Sequence, residues 1–105
     1  MAIYKVSFAK GTEAWYALSP AERKKVMDDS ASVLERCAGK TIIALDTEWD
    51  CEDWSWIIVT EFPDVEAVRK QRVLSYELPS TRYLQSKSYL GTIAEDRKTF
   101  FEKGI

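Results

Sequence analysis

Residues 41–62 hold three of the four tryptophans and read as two strands, each apolar on both faces, joined by an acidic turn of Asp50, Cys51, Glu52 and Asp53. A sheet that is apolar on both sides needs two covers, because an antiparallel sheet with one wet side alternates apolar and polar positions. With a four-residue turn, Trp49 faces Trp54 and Thr47 faces Trp56. That register puts Ile43, Leu45, Thr47, Trp49, Trp54, Trp56, Ile58 and Thr60 on one face. The other face carries Ile42, Ala44, Asp46, Glu48, Ser55, Ile57, Val59 and Glu61, aliphatic at one end and acidic at the other. The chain's own helices supply one cover. The second is expected from another copy, in a homodimer whose sheets pack face to face.

The rest of the chain supplies those helices and two more strands. Tyr4, Val6 and Phe8 alternate with Lys5 and Ser7, the period of a strand. After the break at Gly11-Thr12, with Trp15 and Leu18 expected in a short helical turn, Ser19-Pro20-Ala21-Glu22 forms a capping box. Val26, Ser30, Val33, Leu34 and Cys37 then share one helical face, and Gly39 stops the helix. Phe62-Pro63-Asp64 closes the hairpin and caps a second helix from Val65 to about Glu77, which Pro79 and Ser80 end. Tyr83 to Thr92 reads as the last strand. Residues 94–105 read as a charged tail or short helix that packs Phe100 or Phe101. The order is strand, helix, strand, strand, helix, strand, the split βαβ pattern of ferredoxin-like folds: α+β, with a four-stranded antiparallel sheet, in one domain over residues 1–105.

That order, with a sheet apolar on both faces, resembles the dimeric α+β barrel superfamily over residues 1–92. Within it, Trp15-x-x-Leu18 followed by Ala21-Glu22-Arg23, the Asp46-Thr47-Glu48 strand and the passage Leu78-Pro79-Ser80-Thr81-Arg82-Tyr83 are similar to darcynin-like proteins. The superfamily resemblance implies an activity drawn from cofactor-independent monooxygenases, polyketide cyclases, muconolactone isomerases or haem-dependent enzymes. The chain has no histidine, so histidine-ligated haem and histidine-assisted cyclisation do not carry over.

Charge and composition narrow the partners. The 15 basic and 17 acidic residues are interspersed, which leaves no concentrated basic surface for a phosphate backbone, so no nucleic acid is expected. No run is long and apolar enough for a signal peptide or membrane span, so a cytoplasmic protein without a membrane partner is expected. Cys37 and Cys51 lack zinc or redox spacing, and no metal or other cofactor is expected.

Asp46 and Glu48, two apart on a strand, either couple to move a proton or sit at the wet end of the sheet in ion pairs. Arg72 falls within the arc of Val65, Val68 and Tyr76, where an arginine finds an anion or reaches out to solvent, though Ala67, Leu74 and Leu78 define a competing inward face. As a clamp it would hold a carboxylate, enolate or phenolate. Trp49, Trp54, Trp56, Tyr76, Tyr83 and Tyr89 are candidates for the walls of a pocket for a small, flat, hydrophobic anion, and otherwise are core or interface residues. The reading is a cofactor-free isomerase, cyclase or monooxygenase with Asp46, Glu48 and Arg72 as catalytic residues. The alternatives are a non-catalytic ligand-binding protein and a structural dimer.

Overall fold

In the computed structural model, which describes residues 1–94 and 102, the chain forms β1 (Ile3–Gly11), α1 (Glu13–Tyr16), α2 (Pro20–Arg36), β2 (Lys40–Asp46), β3 (Trp56–Phe62), α3 (Val65–Tyr76), α4 (Ser80–Tyr83) and β4 (Leu84–Gly91). The strands make one antiparallel sheet in the order β2-β3-β1-β4. The expected tail helix, with Phe100 and Phe101, lies outside the described residues.

Local chemistry sets the helix ends. The Ser19 hydroxyl accepts from Glu22 N at 3.2 Å, and the Glu22 carboxylate accepts from Ser19 N at 3.0 Å, so two backbone donors that α2 leaves free are satisfied reciprocally. Asp64 accepts from Ala67 N at 2.8 Å and does the same for α3. At the far end of α2, Ala38 takes the left-handed conformation (φ 55°) that glycine usually supplies. Gly39 is fixed by closeness instead: a Cβ there would lie 2.8 Å from Phe62 Cε1.

Phe62 is fully enclosed and anchors a core with Val33, Cys37 and Val68, against which Ile3, Leu34, Ala67, Leu74 and Leu78 pack. The inward face of α3 therefore joins Val68 of the first arc to the competing positions Ala67, Leu74 and Leu78. Val65 and Tyr76 lie on its exposed margin.

The hairpin departs from its expected form. β2 stops at Asp46 and β3 starts at Trp56, so a nine-residue connection replaces the four-residue turn. Thr47 explains the early stop: its N–H donates to Ser55 O at 2.8 Å and its hydroxyl to Trp54 O at 2.8 Å, while its carbonyl accepts from Cys51 N at 2.8 Å. These bonds close a looped turn in place of further ladder. The register shifts with it, Asp46 opposite Trp56 and Leu45 opposite Ile57, with an irregularity between Thr41 and Ile43. Alternation within each strand survives, but the pairing between strands differs by one residue, which exchanges faces. Ala44, Asp46, Trp56, Ile58 and Thr60 thus share one side, and Ile43, Leu45, Ile57 and Val59 the other.

The first of these sides meets the helices: it continues through Ala9, Thr60 and Phe62, all buried, and Trp56 packs edge-on to Trp15 at 6.2 Å. The second continues through Val6 and Phe8, and no described element of the chain covers it. Ile43, Leu45 and Tyr89 stand there 47%, 44% and 54% exposed. The molecule is only 17 Å through its thinnest dimension, one sheet with one helix layer.

α4 has no counterpart in the sequence reading. The chain after Pro79 makes a helical turn before β4 starts at Leu84, tied to α1 by Thr12, whose N–H donates to Tyr83 O at 2.9 Å and whose hydroxyl donates to Arg82 O at 2.8 Å.

Candidate functional site

On β1, Lys5 and Ser7 point to the helices and Tyr4, Val6 and Phe8 point away. Opposite them on β4, Ser88 pairs with Ser7 and Ser86 with Ala9, so the helix-facing side of this half of the sheet carries short polar side chains. Such side chains do not fill the space under α3, and a cavity of about 440 Å³ results. Lys5, Ser86 and Ser88 form its floor. Gln71, Arg72, Ser75 and Tyr76 of α3 form one wall, and Ser80, Thr81, Leu84 and Ser30 close it.

Two cations face this space. Lys5 is half-buried and donates to Gln71 Oε1 at 3.0 Å. Burial first, and the nearby Arg72 charge second, hold its ammonium below the ordinary lysine value. Arg72 lies at the exposed mouth and, among the described residues, makes no ion pair or hydrogen bond. No described carboxylate lines the cavity.

The residues singled out in the sequence are distributed over the molecule. Arg72 and Tyr76 line the cavity. Trp56 contacts Trp15 on the helix side, away from the described lining. Trp54 and Tyr89 are on the uncovered side, with ring centroids 6.1 and 6.3 Å from Phe8. Trp49 is 82% exposed in the β2–β3 connection, with Nε1 donating to Asp46 O at 3.0 Å. Tyr83 ends α4 beneath the Arg82 guanidinium, 5.9 Å from its ring. Asp46 and Glu48 do not share a strand face, because the strand ends between them. Asp46 Oδ1 instead accepts from Glu48 N at 3.0 Å, and both are solvent-exposed. Neither lines the cavity.

Lys5, Gln71 and the serines of β4 were missed. Their signal was present: Lys5 and Ser7 alternate in β1 as Ser86 and Ser88 do in β4, a polar face on two adjacent strands. A second hollow, of about 470 Å³ beside Met1, Ala2, Tyr4, Thr92 and Ile93, has no charged side chain among its described lining residues and is the lesser candidate.

No family model matches the sequence, and no curated protein matches it. Solved structures do. The chlorite dismutase from Candidatus Nitrospira defluvii in complex with imidazole superposes with a TM-score of 0.78 at 17% identity, over 96% of this chain and 43% of that one. A mutant of the same enzyme gives 0.76 at 19%, over 96% and 44%. A protein of unknown function from Rhodopseudomonas palustris gives 0.64 at 19%, over 90% and 84%. The chain spans less than half the length of these chlorite dismutases. The likeness is one of fold: a ferredoxin-like arrangement of a four-stranded antiparallel sheet with helices on one face.

Haem, used by some members of the dimeric α+β barrel superfamily, does not fit the donors present. There is no histidine, Cys37 is buried in the core, and Cys51 Sγ accepts from Trp54 N at 3.3 Å in the connection between β2 and β3. Of the histidine, cysteine, methionine and tyrosine side chains that usually hold haem iron, the described lining of the cavity has Tyr76 alone, 70% exposed.

Proposed function

We propose that this protein is a ligand-binding homodimer of the dimeric α+β barrel type, in which the helix-side cavity holds a small organic anion and the opposite sheet face is covered by a second copy. The observation that carries the ligand reading is Arg72: an arginine at the mouth of a cavity with no described carboxylate partner, beside a second cation and a set of hydroxyl donors. A guanidinium in that position presents a planar fork to a carboxylate or enolate. The lining, rich in Ser and Thr, suits an oxygen-rich ligand better than the flat hydrophobic one the tryptophans suggested.

Support for the dimer comes from the uncovered face. Val6, Phe8, Ile43, Leu45, Ile57 and Val59 form one contiguous apolar patch, and such patches on small domains mark interfaces. Among the described residues Phe62 is the one large side chain that is fully buried, a small core.

A cofactor-free isomerisation, cyclisation or oxidation at this site would need a proton carrier in contact with the ligand. The groups so placed are the Lys5 amine and the Tyr76 hydroxyl, and in this reading they replace Asp46 and Glu48. Burial and the Arg72 charge make the Lys5 amine easier to deprotonate than an ordinary lysine.

Thermal unfolding with a panel of small carboxylates and their amides tests the binding reading. Carboxylates raise the midpoint of the wild type and of Asp46→Asn, and Arg72→Ala loses the shift. Equal shifts in wild type and Arg72→Ala, or equal shifts by the amides, contradict it.

A further inference from the structure

We infer that the cavity selects a dianion, with one acidic group on Arg72 at the α3 wall and the other on Lys5 at the sheet floor. This rests on the reading of the cavity as the ligand site and specifies what it takes. Lys5 and Arg72 flank Gln71, the sole described side-chain partner of the Lys5 ammonium, and that partner is a neutral amide oxygen at 3.0 Å. Two like charges facing one partly desolvated space repel each other, and the closeness of Arg72 already acts on the Lys5 ammonium. A single negative group would satisfy one cation and leave the other uncompensated. Hydroxyls cannot correct this, because they donate hydrogen bonds without carrying charge.

Apart from Arg72, the described groups facing Lys5 are neutral. From α3 come Gln71, Arg72, Ser75 and Tyr76; α2 contributes Ser30, α4 contributes Ser80 and Thr81, and β4 contributes Leu84, Ser86 and Ser88. None of these described lining groups is a carboxylate. The negative charge must therefore arrive with the ligand. The hydroxyls between the two cations suit an oxygen-bearing backbone, which makes short dicarboxylates the natural probes.

The test is calorimetric titration, at neutral pH and low salt, of malonate, succinate and glutarate, each beside its monomethyl ester, into wild type, Lys5→Met and Arg72→Ala. At least one dicarboxylate is expected to bind the wild type about tenfold or more tightly than its half-ester, the usual worth of one charge-assisted hydrogen bond. Lys5→Met removes that preference, so that each dicarboxylate binds no more tightly than its own half-ester. In buffers of different ionisation enthalpy near pH 9–10, dicarboxylate binding to the wild type takes up a proton that Lys5→Met does not, because the second carboxylate stabilises the ammonium. Half-esters that bind as tightly as dicarboxylates, with affinity lost in Arg72→Ala but kept in Lys5→Met, overturn the dianion and leave the anion site standing. No binding by either series, or binding indifferent to Arg72→Ala, overturns both. Far-ultraviolet circular dichroism of each variant establishes that the comparison is between folded proteins.

Discussion

Arg72 and Lys5 illustrate how position decides what a charge does. On the sequence, Arg72 is conspicuous because it shares an arc with apolar residues, and Lys5 is inconspicuous because it alternates with them. The fold gives both the same cavity. For Lys5 the consequence is a dependence on pH. Its folded value is lowered, so as pH rises toward the ordinary 10.5 the folded state releases the proton before the unfolded state does. The penalty for burying the ammonium is full at neutral pH and disappears above 10.5. Urea unfolding of wild type against Lys5→Met should show the wild type gaining relative stability from neutral toward pH 10.5, and a constant difference would refute the buried cation. Ala38 is a second local matter: its left-handed φ of 55° strains any residue with a Cβ. Ala38→Gly is expected to stabilise the protein by about 0.5–1 kcal/mol in the same measurement, relief of strain outweighing the added freedom of the unfolded chain.

Helices were the most legible part of the sequence because their ends are written in side-chain chemistry. Ser19, Pro20 and Glu22 start α2 where the capping box puts it, and Asp64 starts α3. Ser19→Ala should therefore cost about 1 kcal/mol in chemical unfolding, and no change would mean that the box contributes nothing. The order of the strands was also legible, from alternation. Their pairing was not, because alternation fixes which residues of one strand share a face but not how two strands align. The pairing ends at Thr47, whose four hydrogen bonds turn the chain out of β2. The same shortening separated Asp46 from Glu48 and moved Trp49 and Trp54 off the strands. Of the residues that line the cavity, Arg72 and Tyr76 are singled out by the sequence, while Lys5 and the β4 serines are not. A polar face on a strand reads as solvent-facing, and here the polar face of β1 turns toward the helices over a cavity.

The two sides of the sheet have opposite character and, in the proposed dimer, opposite uses. Apolar residues of β1, β2 and β3 collect on the uncovered side, and polar residues of β1 and β4 collect beneath the helices. Light scattering at micromolar concentration should give about twice the 12.1 kDa chain mass for the wild type. Val59→Lys, which sets a charge at the middle of the apolar face, should give the mass of one chain. A wild type of one chain mass would leave that face without its cover. The separation of uses is open to one measurement, amide chemical-shift mapping of the ¹⁵N-labelled protein during titration with succinate. The proposed arrangement predicts shifts at Lys5, Gln71, Ser75, Ser86 and Ser88, none at Ile43, Leu45 or Val59, and none anywhere in Arg72→Ala. Shifts centred on the apolar face, or an unchanged pattern in Arg72→Ala, would contradict it.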